Sequence, residues 1–207
     1  MLFSSLFTSP LSFLIIAISI LIGFTIHEFT HAYVADKLGD STPRLMGRLT
    51  LNPLAHLDLI GTIFLLLAGF GWGKPVIVNS RNFKNPVVDN VTVSLAGPLS
   101  NFFLAVILGL AIRFIQMPDI ISQILTIIVF FNLVLMIFNF LPIPPLDGSK
   151  LLSLILPEET YLQFEQYGTF VLFGFVILSS FIPVIPFVMS RVVNFFFVFI
   201  TGHQLAI

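Results

Sequence analysis

The sequence predicts an all-α polytopic membrane protein with four to five transmembrane helices, and two observations support this prediction. Hydrophobic residues make up 57% of the 207 residues and charged residues only 9%, whereas about 25% of the residues in a soluble domain are charged. Several apolar stretches also reach the roughly 20 residues that cross a bilayer as a helix. We therefore expect a single membrane-embedded domain over residues 1–207, because the length leaves no room for a separate soluble module.

Charge and cysteine content exclude several classes of function. The formal net charge is −1, so the chain lacks the basic surface that nucleic acids require and we expect no nucleic-acid partner. The sequence contains no Cys, so a metal would have to be held by histidine and carboxylate groups. A secretory signal peptide begins with a positively charged region, but no Lys or Arg precedes Glu28. We therefore expect the first helix to be retained.

The first predicted span, residues 11–35, contains the strongest functional signal, the sequence HEFTH at 27–31. A spacing of four residues brings His27 and His31 onto one face of a helix, close enough for both rings to bind one zinc ion. Glu28 lies beside that face, where it can act as a general base on water. Ionisable groups are costly inside a membrane span, so we interpret the cluster as a zinc site rather than a chance match.

The segment 36–90 is predicted to make no net crossing of the membrane. Alternating polar and apolar residues indicate a β-strand or hairpin over 43–55, and the VIV sequence indicates a short strand over 75–79. Between them, the apolar stretch 57–71 is shorter than a span and is typical of a re-entrant or interfacial helix. The edge of the 43–55 strand would then be available to an extended substrate peptide.

Two further spans are predicted at 91–115 and 120–146, and C-terminal spans or interfacial segments at 167–201. The polar run SLAGPLSN lies near the start of the second span. The third span carries no charge, and three prolines break it just before Asp147 and Gly148. A helix must unwind at these prolines, which frees backbone groups that only protein or a wet cavity can satisfy.

Catalytic zinc takes three protein ligands, so HEFTH needs one more. The candidates are His56, His203 and the remaining carboxylates. Asp147 differs from the other carboxylates because it ends a charge-free span at a proline-broken turn, although an ordinary Asp-Gly turn is the structural alternative. If Asp147 meets HEFTH, the C-terminal ends of the first and third spans lie on one side of the membrane, and the second span runs the opposite way between them.

Basic residues then indicate which side this is. Seven of the nine fall on the HEFTH side: Lys37, Arg44, Arg48, Lys74, Arg81, Lys84 and Lys150. The positive-inside rule makes that side cytoplasmic and predicts an external N-terminus. The site is therefore expected to open toward the cytoplasm.

Three motifs in this order carry a family resemblance: HEFTH in the first core span, SLAGPLSN in the second and NFLPIPPLDG at the end of the third. Together they resemble the site-2 protease family of intramembrane zinc metalloproteases, in its small prokaryotic-type form without a PDZ domain. The resemblance covers roughly residues 11–155. It implies hydrolysis of peptide bonds within or next to the transmembrane segments of membrane-protein substrates, as in regulated intramembrane proteolysis, in a prokaryotic cell membrane.

The same resemblance implies roles for individual residues. It implies His27, His31 and Asp147 as ligands of one Zn²⁺ per chain, with Glu28 as general base and acid. It also implies that Asn101 and Asn139 lie near the substrate and the metal. These two amides have structural alternatives, since Asn101 could act as polar glue between close-packed helices and Asn139 could bond carbonyls freed by the prolines.

Some alternatives stay open from the sequence. His56 is either an interfacial histidine that bonds its own loop or a group near the zinc, as a resting-state ligand or a transition-state donor. The chain could also be a metal-binding membrane protein without hydrolytic activity, such as a pseudoprotease or transporter, although a transporter would need polar groups along a complete path. A membrane metalloprotease that cuts soluble or interfacial peptides is a third possibility. The sequence predicts no oligomeric state.

Overall fold

The computed structural model describes residues 9–68 and 71–205, and within these ranges the chain folds into helices joined by turns. The α-helices are, in order, α1 (Pro10–Lys37), α2 (Thr42–Leu45), α3 (Leu59–Ala68), α4 (Pro86–Phe114), α5 (Asp119–Asn139), α6 (Glu158–Phe181) and α7 (Val184–Thr201). Short 3₁₀ helices occupy Pro53–Ala55, Ser80–Asn82 and Asp147–Leu154. The predicted all-α class is confirmed.

Five of these helices, α1, α4, α5, α6 and α7, are long and apolar enough to cross a membrane. The prediction of four to five spans is therefore confirmed in number, with small shifts at the ends. The second span begins at Pro86 rather than residue 91, because a proline is tolerated in a first helical turn whose N–H groups have no intrahelical partner. The third span ends at Asn139, before the prolines.

The predicted strands over 43–55 and 75–79 are wrong: the residues that the structure describes contain no β-strand, only an isolated antiparallel bridge between Leu57 and Gly73. The backbone of 43–55 is instead used in tight turns. Arg48 N–H donates to Pro43 O at 2.8 Å, and Gly47 takes a positive φ of 70°, which interrupts extended backbone. The alternation in the sequence thus reflects turn residues, and this segment offers no strand edge to a substrate.

The stretch 75–79 runs without regular structure between Gly73 and the 3₁₀ helix Ser80–Asn82. Pro75 has no N–H to donate to a neighbouring strand. The VIV sequence therefore forms no sheet in the part of the chain that the structure describes, and the side chains of Val76 and Val78 line the cavity described below.

The short apolar helix predicted within 57–71 is present as α3, which has 10 residues. At 1.5 Å per residue it is about 15 Å long, too short for a hydrocarbon core of about 30 Å. Its start is held by Asp58, whose carboxylate accepts a hydrogen bond from Gly61 N–H at 2.8 Å. Whether α3 is re-entrant or interfacial stays a prediction.

Helix α4 lies at the centre of the bundle. It packs against α1, α5 and α7 and against the 3₁₀ helix Asp147–Leu154. One buried apolar cluster joins α4, α5 and α7, formed by Ala105, Val129, Leu133, Met136, Ile137, Val193, Phe197 and Ile200. This packing brings the C-terminal third of α1 and the turn after α5 together beside α4. The sequence analysis expected this arrangement if Asp147 meets HEFTH.

Candidate active site

Three side chains from α1 and the turn after α5 converge on one point. His27 Nε2 lies 3.0 Å from His31 Nε2 and 3.0 Å from Asp147 Oδ2, and His31 Nε2 lies 3.3 Å from the same carboxylate oxygen. Among the described residues this is the group of histidines and carboxylates whose geometry could hold a metal ion. Both imidazoles are more than nine-tenths buried.

The second ring nitrogen of each histidine faces an acceptor. His31 Nδ1 lies 2.7 Å from the carbonyl oxygen of Val93 on α4, and His27 Nδ1 lies 2.7 Å from Asn101 Oδ1. Because a carbonyl oxygen only accepts, each Nδ1 carries the proton and donates it. Each neutral ring then directs the lone pair of Nε2 toward the convergence point. The hydrogen bond at Nδ1 thus fixes the tautomer that can bind a metal.

Three acceptor atoms therefore face the convergence point, and no hydrogen-bond donor does. Asp147 Oδ2 is buried and has no hydrogen-bond partner in the structure. A tetrahedral zinc ion with bonds of about 2.0–2.1 Å separates its ligand atoms by about 3.3 Å, close to the spacing of these three atoms. Two imidazoles and a carboxylate are also a ligand set found in catalytic zinc sites. The three ligand atoms and the distances between them therefore fit zinc.

A close approach of α4 to α1 makes this geometry possible. A Cβ atom on Gly97 would lie 2.4 Å from His31 Nε2 and 2.8 Å from His27 Cε1. Such distances are not tolerated, so only glycine leaves room for both rings at this position. Gly97 belongs to the SLAGPLSN run, whose small residues thus admit the metal ligands.

A second close approach positions Asp147. The turn after α5 folds back so tightly that a Cβ on Gly148 would lie 2.3 Å from the carbonyl oxygen of Phe140. Ser149 holds the turn from within, because its hydroxyl donates to Leu146 O at 2.6 Å. The carboxylate of Asp147 is thereby directed back toward α1, and the Asp-Gly sequence is more than an ordinary solvated turn.

Glu28 lies in the wall of the cavity that contains this cluster. The cavity has a volume of about 360 Å³, and its wall also includes Asn139, Lys150 and, from the Pro75–Val78 stretch, every residue except Ile77. Glu28 is 8% exposed. A buried carboxylate that faces this cavity beside the three converging side chains is placed where a general base could act on water.

The other sequence candidates lie in different surroundings. Asn139 lines the cavity, but its amide donates to Leu135 O of its own helix at 3.0 Å. His56 is fully buried in its loop, with Nε2 2.8 Å from Thr50 O, and it belongs neither to the cluster nor to the cavity wall. His203 is exposed beyond the end of α7. Asp147 is thus the candidate third ligand that meets the two histidines.

Sequence reasoning missed Asn132 on α5. This amide is fully buried, and its Oδ1 accepts a hydrogen bond from Asn101 Nδ2 at 2.9 Å. One signal could have revealed it, since an amide in the middle of a long apolar span requires a partner. The Val93 carbonyl that faces His31 could not have been found, because a backbone group carries no mark in the sequence.

Lys150 brings a positive charge to the cavity wall. Its ammonium group pairs with Glu165 on α6 and lies 5.8 Å from the centre of the Tyr161 ring. Burial lowers the pKa of Lys150, but the hydrogen bond to Glu165, the interaction with Tyr161 and the charge of Glu165 together outweigh burial and raise the pKa. Lys150 therefore stays charged and ties the segment after Asp147 to α6.

Asp40 fixes the loop that carries part of the cavity wall. Its carboxylate is fully buried and accepts hydrogen bonds from Thr42 N–H and hydroxyl, from Asn79 N–H at 2.7 Å and from the Asn82 amide at 2.7 Å. Burial raises the pKa of Asp40, but these donors together outweigh it and lower the pKa below its usual value. We refer to Asp40, Thr42, Asn79 and Asn82 as the Asp40 latch.

Comparison with known proteins shows the family to which this chain belongs. The family model described as peptidase family M50 matches residues 113–180. YwhC of Bacillus subtilis, named as a candidate zinc metalloprotease, is 44% identical over 172 residues, which cover 77% of this chain and 78% of YwhC. The chain belongs to peptidase family M50. This is the site-2 protease family that the motif order resembles.

More distant M50 relatives extend the match. Rip2 of Mycobacterium tuberculosis is 34% identical over 148 residues, which cover 68% of this chain and 56% of Rip2. MJ0611 of Methanocaldococcus jannaschii is 32% identical over 146 residues, which cover 70% of this chain and 72% of MJ0611. Both are also named as candidate zinc metalloproteases. No solved structure matches the chain at a significant level.

Proposed function

We propose that this chain is an intramembrane zinc metalloendopeptidase that hydrolyses peptide bonds within or next to the transmembrane segments of other membrane proteins. The observation that carries the proposal is the convergence of His27 Nε2, His31 Nε2 and Asp147 Oδ2, at 3.0–3.3 Å, in a helical bundle apolar enough to span a membrane. Membership of family M50 supports the same reaction. The whole chain, residues 1–207, then acts as one protease domain.

In this proposal His27, His31 and Asp147 hold a single zinc ion. Bound zinc supplies Lewis-acid activation of water and of the scissile carbonyl. The Glu28 carboxylate takes the proton from the attacking water and returns it to the leaving amine, so that one residue serves as base and then as acid. Proton transfer of this kind typically contributes about 10²–10⁴ to the rate.

The remaining cavity residues position the peptide and admit water. The cavity of about 360 Å³ has space for a short unwound segment, not for an intact helix about 10 Å across. The substrate therefore has to give up helical hydrogen bonds near the cut, and Asn139, Ser80 and Ser94 are polar groups of the wall that could replace them. The surrounding bilayer holds enzyme and substrate in one plane.

Orientation and cellular setting complete the proposal. The basic residues of the loops on the cluster side support a cavity that opens toward the cytoplasm, with the N-terminus outside. The relatives YwhC, Rip2 and MJ0611 come from two bacteria and an archaeon, which supports a prokaryotic cell membrane.

The test is co-expression of the chain with a panel of tagged single-span membrane proteins, with cleavage products identified by mass. We expect a shortened product with the wild-type chain and none with Glu28→Gln, while purified Glu28→Gln retains zinc. Glu159→Gln, an exposed carboxylate in the first turn of α6, is the matched control and should cleave normally.

Three other outcomes would change the proposal. Equal cleavage by wild type and Glu28→Gln would remove Glu28 as the base. Zinc binding by the wild type without cleavage of any panel member would favour a metal-binding membrane protein that is not a protease. Cleavage of a soluble peptide with the same sequence as fast as the membrane-bound form would favour a protease of soluble or interfacial peptides.

A further inference from the structure

We propose that Asn132 is a positioning residue that acts through Asn101 to hold His27 in its metal-binding orientation. The inference rests on the proposed zinc site and adds to it a residue from a third helix. Asn132 lies on α5, Asn101 on α4 and His27 on α1, and the three side chains are joined in series by hydrogen bonds. Neither amide is exposed to solvent.

The direction of every bond in this series is determined by backbone carbonyls. Asn132 Nδ2 donates to Ile128 O at 2.8 Å, so the other end of the amide, Oδ1, must face Asn101. Asn101 Nδ2 donates to Gly23 O at 2.9 Å and to Asn132 Oδ1 at 2.9 Å, so that both of its protons are used. Because a backbone carbonyl cannot donate, neither amide can reverse its orientation without losing a bond.

The consequence reaches the metal ligand. With both protons of its amide engaged, Asn101 presents only Oδ1 to His27, and it accepts the Nδ1 proton at 2.7 Å. This fixes the ring and leaves the Nε2 lone pair directed at His31 and Asp147. If Asn132 lost its oxygen, one buried N–H of Asn101 would have no acceptor, and the amide would be anchored on one side only.

The two histidines differ in this respect. His31 Nδ1 donates to the backbone carbonyl of Val93, which belongs to a helix and has little freedom to rotate. His27 depends on a side-chain amide, which can rotate unless a second group holds it. The space around these hydrogen-bonded amides is also restricted, because a Cβ on Gly23 would lie 3.0 Å from Asn132 Oδ1. Only the His27 ligand therefore requires a supporting side chain.

The experiment measures zinc affinity of the purified full-length chain in detergent by chelator competition, which does not depend on proteolysis. We expect Asn132→Leu to weaken zinc binding about tenfold, in the range seen when groups behind a metal ligand are removed. Asn101→Leu should weaken it at least as much. The double variant should bind zinc like Asn101→Leu alone, because residues that act in series are not additive.

Two further variants separate positioning from simple loss of packing. Asn132→Asp keeps an acceptor for Asn101 and, when neutral in the dry interior, a donor for Ile128 O, so it should bind zinc within about threefold of wild type. Thr201→Val removes a fully buried hydroxyl that donates to Phe197 O at 2.8 Å on α7, and it should leave zinc affinity unchanged. The visible absorption spectrum of the Co²⁺ form should change in Asn132→Leu and not in Thr201→Val.

The proposal is overturned if Asn132→Leu has the zinc affinity of the wild type, or if its loss of zinc affinity adds fully to that of Asn101→Leu. It is also overturned if Asn132→Asp binds zinc as weakly as Asn132→Leu does. An equal loss of zinc affinity in Thr201→Val would also overturn it, since removal of any buried polar group would then weaken zinc binding. Failure of the proposed function gives a different result, namely a wild type that binds zinc tightly and cleaves no membrane substrate.

Discussion

Two buried polar clusters lie on the same side of this molecule and differ in how their hydrogen bonds are satisfied. In the Asp40 latch, one carboxylate receives four hydrogen bonds, so every strong donor nearby has an acceptor. In the cluster of His27, His31 and Asp147, three acceptors face one another and no donor lies between them. The first arrangement is complete without a ligand, whereas the second leaves lone pairs that could hold a cation, as the proposed function requires.

The comparison separates a structural role from a chemical one. Polar groups that satisfy one another stabilise a loop, whereas acceptors held against one another use the stability of the fold to create a binding site. The two clusters are also connected, because the Asp40 latch holds Asn79 next to the Pro75–Val78 stretch of the cavity wall. Changing each cluster separately should therefore give different results for metal binding and for stability.

The largest expected effect follows from removing a proposed ligand. Asp147→Ala should reduce the zinc content from about one ion per chain to near zero and abolish cleavage, because two histidines alone leave the site incomplete. Metal analysis of the purified protein measures the first effect, and the co-expression assay measures the second. Asp119→Ala, at the exposed start of α5, is the control. Unchanged zinc content in Asp147→Ala would exclude Asp147 from the site.

A smaller effect is expected when the ligands are kept but displaced. Gly97→Ala introduces a methyl group 2.4 Å from the present position of His31 Nε2, and we expect zinc affinity to fall about 10- to 100-fold. Gly174→Ala on α6 is a matched control, because a Cβ there meets nothing within 4 Å. That change should leave zinc affinity unaltered and stabilise the helix by up to about 1 kcal/mol. Equal zinc affinities of the two variants would contradict the close approach.

A substitution in the Asp40 latch should lower the stability of the protein and leave its zinc affinity almost unchanged. Asp40→Asn places an NH₂ group where the carboxylate now accepts, so a buried donor such as Asn79 N–H faces another donor. We expect a loss of about 1–3 kcal/mol in the free energy of unfolding and a change in zinc affinity of less than about twofold. Thermal unfolding in detergent and chelator competition measure the two quantities. A large loss of zinc affinity with normal stability would reverse the roles assigned to the two clusters.

The smallest effect is the pH dependence of the latch. The folded protein lowers the pKa of Asp40, so the ionised carboxylate adds stability above the ordinary aspartate value of about 4, and this stability is lost as the pH falls through the lower, folded value. The difference in unfolding temperature between wild type and Asp40→Asn should therefore narrow as the pH is lowered from about 6 toward 3. A difference that stays constant over this range would show that ionised Asp40 does not stabilise the loop.

Local sequence patterns predicted the parts of the molecule that depend on neighbours along the chain. The pair His27 and His31 lies on one helical face because the residues are four apart, and the long apolar stretches form helices because lipid leaves few alternatives for the backbone. The same local reasoning failed over 43–55, where alternation predicted a hairpin. Turn hydrogen bonds such as Arg48 N–H to Pro43 O, and the positive φ of Gly47, were not visible in the pattern.

The sequence by itself determined the membrane class, the HEFTH pair on one helical face and the proline-broken turn that ends in Asp147. Only the tertiary structure decided that Asp147 reaches the histidines, that Gly97 makes room for both rings, and that Asn132 supports Asn101. The physical reason is distance along the chain. Helical spacing is a local property, whereas the contact between α1, α4, α5 and the turn after α5 depends on how four separate segments pack, and on a backbone carbonyl such as that of Val93 that no residue type reveals.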